Sequence, residues 1–148
     1  MYNIQGELNK LGIACESTSI LQDKDGVTVA RITSGEKSYV IKCFQKDEHK
    51  RELKNYQLLA SLDIPTIGVI ASTDSALLLE DIDYSPTYRL GIKEDMSDPE
   101  VARRVAVWYR QLHSQGYDYV CQHGEPMYDE ADFFTTENIA CIKEKTGT

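Results

Sequence analysis

Ile4, Leu8 and Leu11 recur at i, i+4 and i+7 and Gly12 follows them, the spacing of one short amphipathic helix. Between Thr18 and Phe44 the apolar period shortens to two, which predicts strands over 18–22, 27–33 and 38–44. Asp23-Lys24-Asp25-Gly26 and Ser34-Gly35-Glu36-Lys37 separate them as turns, the first with the Asp-Gly signal of a tight hairpin. A helix is expected over 47–62, with Asp47 as its cap and Leu53, Tyr56, Leu59 and Ala60 on one apolar face. Ile64-Pro65 ends it, because a residue before proline is pushed out of the helical region. Two further strands are predicted over 66–72 and 76–80, around a turn at Thr73-Asp74-Ser75.

Residues 83–97 are of mixed polarity and read as a linker. Asp98-Pro99 is a strong helix start, a capping residue followed by proline at the first helical position. Val101, Ala102, Val105, Trp108, Tyr109 and Leu112 line one face of that helix. Gly116 is its expected stop, which would place His113 near the helix end, where a positive charge is welcome. Trp108 and Tyr109 are read as core rather than as a stacking platform. The stretch 117–134 is assigned to no element. A last helix, capped by Thr135 or Thr136, is expected to reach Lys145. Helix, three strands, helix, two strands and then helices make an α+β chain, with no internal repeat or low-complexity tract.

Charge and cysteine usage narrow the function classes. A formal charge of −8 over 148 residues argues against nucleic acid or an anionic membrane as partner, since either needs a basic face. Acidity of this size otherwise serves solubility. No apolar run is long enough to cross a membrane, and no basic region followed by an apolar stretch marks a secretory signal. Cys15, Cys43, Cys121 and Cys141 form no CxxC pair and resemble neither a disulfide framework nor a zinc ribbon, so a reduced, cytoplasmic location is expected.

Several short stretches then carry a resemblance by their order and spacing. They are Tyr39-Val40-Ile41-Lys42, Arg51-Glu52-Leu53, Leu58-Leu59-Ala60-Ser61-Leu62 with Ile64-Pro65-Thr66, Ala76-Leu77-Leu78-Leu79-Glu80-Asp81-Ile82, and Gln111-Leu112-His113. Over residues 15–115 the chain resembles the small lobe of a protein-kinase-like fold, and in particular the aminoglycoside phosphotransferase and choline kinase-like family. The resemblance implies a five-stranded antiparallel sheet with a helix, followed by the first helices of a second lobe. It divides the chain into a nucleotide-binding lobe over 1–82, a hinge over 83–97 and a partial helical lobe over 98–148.

On a strand Val40 and Lys42 share one face, so a base lying on Val40 leaves the phosphates within reach of the Lys42 ammonium. The resemblance gives Lys42 the α- and β-phosphates of ATP and gives Glu52, ten positions on, the task of holding the lysine. It gives the Glu80 carbonyl and the Ile82 amide the adenine edge. Taken singly, Lys42 and Glu52 would be ordinary surface charges, and 77–82 a core strand meeting a polar loop.

The departures from the kinase pattern are informative. Only Gly26 stands where protein kinases have G-x-G-x-x-G, which favours a small-molecule kinase over a protein kinase. Phosphoryl transfer also needs an acceptor-orienting residue and magnesium ligands, which the family takes from H-x-D-x-x-x-x-N and a later Asp. His123-Gly124-Glu125 fails that pattern, since the position five after Glu125 is Glu130. Asp132-Phe133-Phe134 lies seven positions after Glu125 and lacks the glycine of D-F-G. His113, Cys121 and His123 lack a fourth ligand at motif spacing, so no metal site is assigned. No catalytic residue is assigned either, and the magnesium ligands are expected outside this chain.

The expectation is therefore the ATP-binding portion of a phosphotransferase acting on a hydroxyl of an aminoglycoside-like or other small metabolite. Alone it would bind Mg-ATP weakly or not at all and turn nothing over, and apolar surface left uncovered would drive homodimer formation or aggregation. The alternatives are a non-catalytic half-kinase scaffold that binds a protein partner, and an unrelated α+β fold.

Overall fold

The computed structural model describes residues 3–124 and 135–146, and these form two compact units, 1–111 and 112–148. The first begins with helix α1 (Ile4–Lys10), followed by strands β1 (Ser17–Lys24), β2 (Val27–Ser34) and β3 (Lys37–Phe44). Helix α2 (Arg51–Ser61) comes next, then β4 (Val69–Ser72) and β5 (Ala76–Glu80). The strands make one open antiparallel sheet in the order β1-β2-β3-β5-β4.

Turn chemistry sets the first two hairpins. Asp25 and Gly26 both have positive φ, 55° and 86°, as a two-residue type I′ turn requires. At the β2–β3 turn Gly35 alone is positive, at 61°, which suits a II′ turn and glycine at its first position. With two-residue loops the pairing is in register along the whole of β2 and β3, from Val27 opposite Phe44 to Ser34 opposite Lys37.

The central strands are buried on both faces. Ala30, Ile32, Ile41, Cys43, Ala76 and Leu78 point to one side and pack with Ile4 and Leu8 of α1. Phe44, Leu77 and Leu79 point to the other and pack with Leu53 of α2, flanked by Val27, Val40, Tyr56 and Ile67. This two-sided cover explains why Ala76 to Leu79 read as a continuous apolar run rather than an alternation. Glu7 fastens α1 to the β4–β5 turn: its buried carboxylate accepts from Thr73 Oγ1 at 2.5 Å and from Lys10 Nζ at 2.9 Å. Burial alone would raise the Glu7 pKa. The hydrogen bonds from Thr73, Lys10 and Ser75 outweigh it and hold the group below its ordinary value.

The structure revises several of the expected boundaries. Asp47 caps no helix: it opens a 3-10 turn (Asp47–His49), its carboxylate is taken by Lys50 at 2.8 Å, and α2 starts only at Arg51. The fourth strand begins at Val69, not at 66, and the linker 83–97 includes most of one 3-10 turn (Ile82–Tyr84) and all of another (Lys93–Ser97). The second is locked by a two-pronged Arg89–Asp95 pair at 2.7 and 2.6 Å.

Gly116 does not stop the following helix, α3, which runs Pro99–His123. An interior glycine costs about 1 kcal/mol against alanine, too little to end so long a helix. The stop is Gly124, whose φ of 62° and amide bond to the Val120 carbonyl at 2.9 Å close the last turn. His113 is accordingly mid-helix, and Tyr109, expected in the core, is half exposed. Within the first unit the start of α3 is tied to the α2–β4 loop. Trp108 Nε1 donates to the Pro65 carbonyl at 2.7 Å and Gln111 Nε2 to that of Asp63 at 3.2 Å.

In the second unit Tyr119 and His123 stack with ring centroids 4.1 Å apart, and α4 (Thr136–Thr146) follows. Thr135 caps α4, its Oγ1 accepting from the Asn138 amide at 3.1 Å. Glu125, Glu130 and Asp132-Phe133-Phe134 lie outside the described residues. No described helix is long and apolar enough to cross a membrane.

The four cysteines are free and differ sharply in setting: Cys43 is buried, Cys15 half-buried, Cys121 and Cys141 exposed. Burial, assisted by the Glu7 charge, pushes the Cys43 thiol up to about 12, so it holds no thiolate near neutrality. In a timed alkylation at pH 8 read by peptide mass spectrometry, Cys121 and Cys141 should label first and Cys43 only after denaturant is added. Labelling of Cys43 at the rate of the exposed pair would contradict the sheet packing described above.

Candidate functional site

Strand β3 places two of the sequence-selected side chains. Val40 and Lys42 alternate onto the face that α2 covers, opposite Leu79 and Leu77 of β5 and opposite Arg31 and Val29 of β2. Glu52, in the first turn of α2, meets the lysine there. Lys42 Nζ lies 2.7 Å from both Glu52 carboxylate oxygens, with the two side chains 27% and 32% exposed. The ammonium also stands 5.7 Å from the Phe44 ring centroid, close enough for a cation–π contact. Two of its three donors suffice for the carboxylate, which leaves one for another acceptor.

One strand step from Lys42, a cleft of about 380 Å³ opens beside Val40. Its apolar lining is Leu21, Val40, Ile67, Leu79, Ile82 and Leu90, and its polar wall is Arg31 with Glu80, Asp81 and Asp83. Val40, Glu80 and Ile82 thus come together in one cavity, while Lys42 and Glu52 lie outside its lining. Residues two apart on a strand are separated by about 7 Å, so the ion pair stands just beyond the Val40 end of the cleft. The Glu80 amide donates to the Gly68 carbonyl at 2.8 Å, and its carboxylate accepts from Ser85 Oγ, which turns that side chain to the loop. Ile82 begins the 3-10 turn, a position whose amide has no partner within the turn.

Of the polar wall, the sequence selects Glu80 but gives Arg31, Asp81 and Asp83 no role. Arg31 Nε donates to Asp81 Oδ2 at 2.6 Å and Nη2 to Oδ1 at 3.1 Å, and Ser38 Oγ donates to Asp81 Oδ2 at 2.5 Å. Nη2 also donates to Asp83, and the guanidinium lies 5.6 Å from the Tyr84 ring centroid. The signal was present: Arg31 is a charge at a strand position that alternation assigns to the face of Val27 and Val29. Leu21 was hidden for another reason. It sits at a bulge in β1 between Ile20 and Gln22, where period-two reading breaks.

The Gly26 carbonyl accepts from Gln45, and a Cβ on that glycine would stand 3.1 Å from the Lys46 side chain, which lies across the turn. A larger cavity, about 460 Å³, lies between α2 and 63–69, lined by Leu53, Tyr56, Ala60, Ile64 and Leu77 among others, and includes none of the sequence-selected residues. Among the described residues no group of three or more His, Cys, Asp or Glu side chains is placed to hold a metal ion. His113, Cys121 and His123 are no exception. The chain matches no protein-family model and no curated protein sequence.

Proposed function

We propose that the first unit binds ATP, with the base in the Val40 cleft and the phosphates at Lys42, as the nucleotide-binding portion of a small-molecule phosphotransferase of the kind the sequence resembles. The observation that carries this reading is the Lys42–Glu52 pair, closed at 2.7 Å through both carboxylate oxygens, one strand step from a cleft with apolar lining that residues 80–82 border. A flexible lysine held by a carboxylate is a pre-positioned phosphate ligand, and the apolar sheet surface formed by the paired Val40 and Leu79 suits a heterocycle.

Charge orients the ligand. The cleft wall sets one cation, Arg31, against Glu80, Asp81 and Asp83. That end therefore repels phosphate and accepts the uncharged base, which leaves the phosphates for the lysine end. Magnesium would accompany the nucleotide, but the described residues group no ligands for it, so no step is assigned to the metal here. The acceptor would be a hydroxyl on an aminoglycoside-like or other small metabolite. Its positioning is assigned to no residue of this chain.

Thermal unfolding with and without ATP tests the reading. A ligand present at a hundred times its Kd stabilises the native state by about 2.7 kcal/mol, or about 5–10 °C for a chain of this size. Adenosine and tripolyphosphate should each reproduce part of that rise. No shift with ATP at millimolar concentration would discard the nucleotide reading and favour a non-catalytic scaffold.

A further inference from the structure

The Arg31–Asp81 cluster, which above only sets the charge at one end of the cleft, also ties strand β2 to the segment that follows β5. Asp81 lies immediately between Glu80 and Ile82, and its side chain is 2% exposed. A carboxylate so deep must be fully bonded. It accepts from Arg31 Nε and Nη2, from Ser38 Oγ, and from the Asp83 amide at 3.3 Å.

The planar fork of an arginine fixes direction as well as distance, which an ammonium does not. The same guanidinium reaches Asp83 and faces Tyr84, so residues 81, 83 and 84 are all referred to one side chain of β2. Arg31 is itself opposite Val40 in the β2–β3 register. The wall on which a base would lie and the backbone that would read its edge therefore share one fastening. Burial alone would raise the Asp81 pKa. Its bonds to Arg31 and Ser38 outweigh that and keep it ionised well below neutrality.

Resting on the nucleotide reading, we propose that Arg31 is a positioning residue for base recognition: by clamping Asp81 it holds the Glu80 carbonyl and the Ile82 amide at the cleft wall in the spacing a purine edge requires. Without the clamp the unpaired carboxylate seeks water and carries residues 80–82 with it. Base affinity then falls while the phosphate site at Lys42, held by Glu52 on a different element, is untouched.

The experiment compares adenosine and tripolyphosphate binding by calorimetry in wild type, Arg31→Met and Arg31→Lys. Arg31→Met keeps most of the packing stem and removes the fork. Adenosine affinity should drop about tenfold, the worth of one to two misplaced hydrogen bonds. Tripolyphosphate affinity should stay within about twofold, since the two sites share no partner. Arg31→Lys, which restores one charged bond, should recover part of the adenosine loss.

If Arg31→Met does not fold, Ser38→Ala removes a single donor from Asp81 and should weaken adenosine about threefold with the same indifference to tripolyphosphate. Equal losses for the two ligands would reduce the cluster to a structural brace and overturn the inference. So would unchanged adenosine affinity in a wild-type background that binds both ligands, and this leaves the nucleotide reading standing. A wild type that binds neither overturns both.

Discussion

Leu78→Ala should destabilise the first unit by about 2–5 kcal/mol, the cost of truncating a buried leucine where the surroundings cannot close the cavity. Leu78 has no solvent exposure and sits on the central pair of strands opposite Ile41, in a cluster with Leu8, Ala30 and Ile32. The sheet backbone beneath it is fixed by ladders on both sides, from β3 and β4. On that face α1, a helix of seven residues, and the segment after it with Leu11, Ile13 and Cys15 are what could settle into the space. Domains are stable by about 5–15 kcal/mol in total, so the loss is a large share of what holds the unit folded.

Urea titration measures it as a fall in midpoint at unchanged slope. Ile70→Ala, on the edge strand and 53% exposed, is the control and should stay within about 0.5 kcal/mol. Leu8→Ala should cost a comparable amount, and the double variant less than the sum, because both changes open the same space. Strict additivity, or a loss below about 1 kcal/mol at Leu78, would mean that α1 does not cover this face.

The strands were legible because each is specified locally. Period-two alternation in Val27 to Ser34 and the Asp25-Gly26 turn point to the same hairpin, and nothing distant overrides them. The α1 and β5 segments were equally plain, one by its i, i+4 spacing and the other as a short apolar run bounded by turn residues. Where local signals competed, they misled. Asp47 has the chemistry of a cap, but Lys50 takes its carboxylate, and the helix starts four residues later. Gly116 has the chemistry of a stop, but its φ stays negative and the propensity of the flanking turns carries α3 on to Gly124.

At the candidate site the division is similar. Lys42 and Glu52 are ten residues apart on consecutive elements, and strand and helix phases put them on facing sides. Arg31 and Asp81 are fifty apart, and their meeting depends on β5 pairing with β3 and so lying one strand away from β2. A sequence shows Arg31 as a charge on an apolar strand face and Asp81 as a charge just past a strand end. It does not show that each answers the other.

Lys42→Ala should weaken ATP about 10–100-fold, the loss of a charged hydrogen bond to a polyphosphate, and leave adenosine almost unaffected. The converse pattern belongs to Arg31, so the two variants together separate the phosphate end of the ligand from the base end. Stability should scarcely change. The ion pair is about a third exposed on each side, and pairs open to solvent contribute about 1 kcal/mol or less.

Glu52→Gln keeps the shape but not the charge that steadies the ammonium, so a smaller loss for ATP is expected, about threefold. The double variant should be no weaker than Lys42→Ala alone, because the carboxylate acts on the nucleotide only through the lysine. If removing the lysine left ATP affinity where it was, the pair would be a surface ion pair between β3 and α2 and nothing more. A double variant worse than the lysine change alone would give Glu52 a contact of its own with the ligand or its metal.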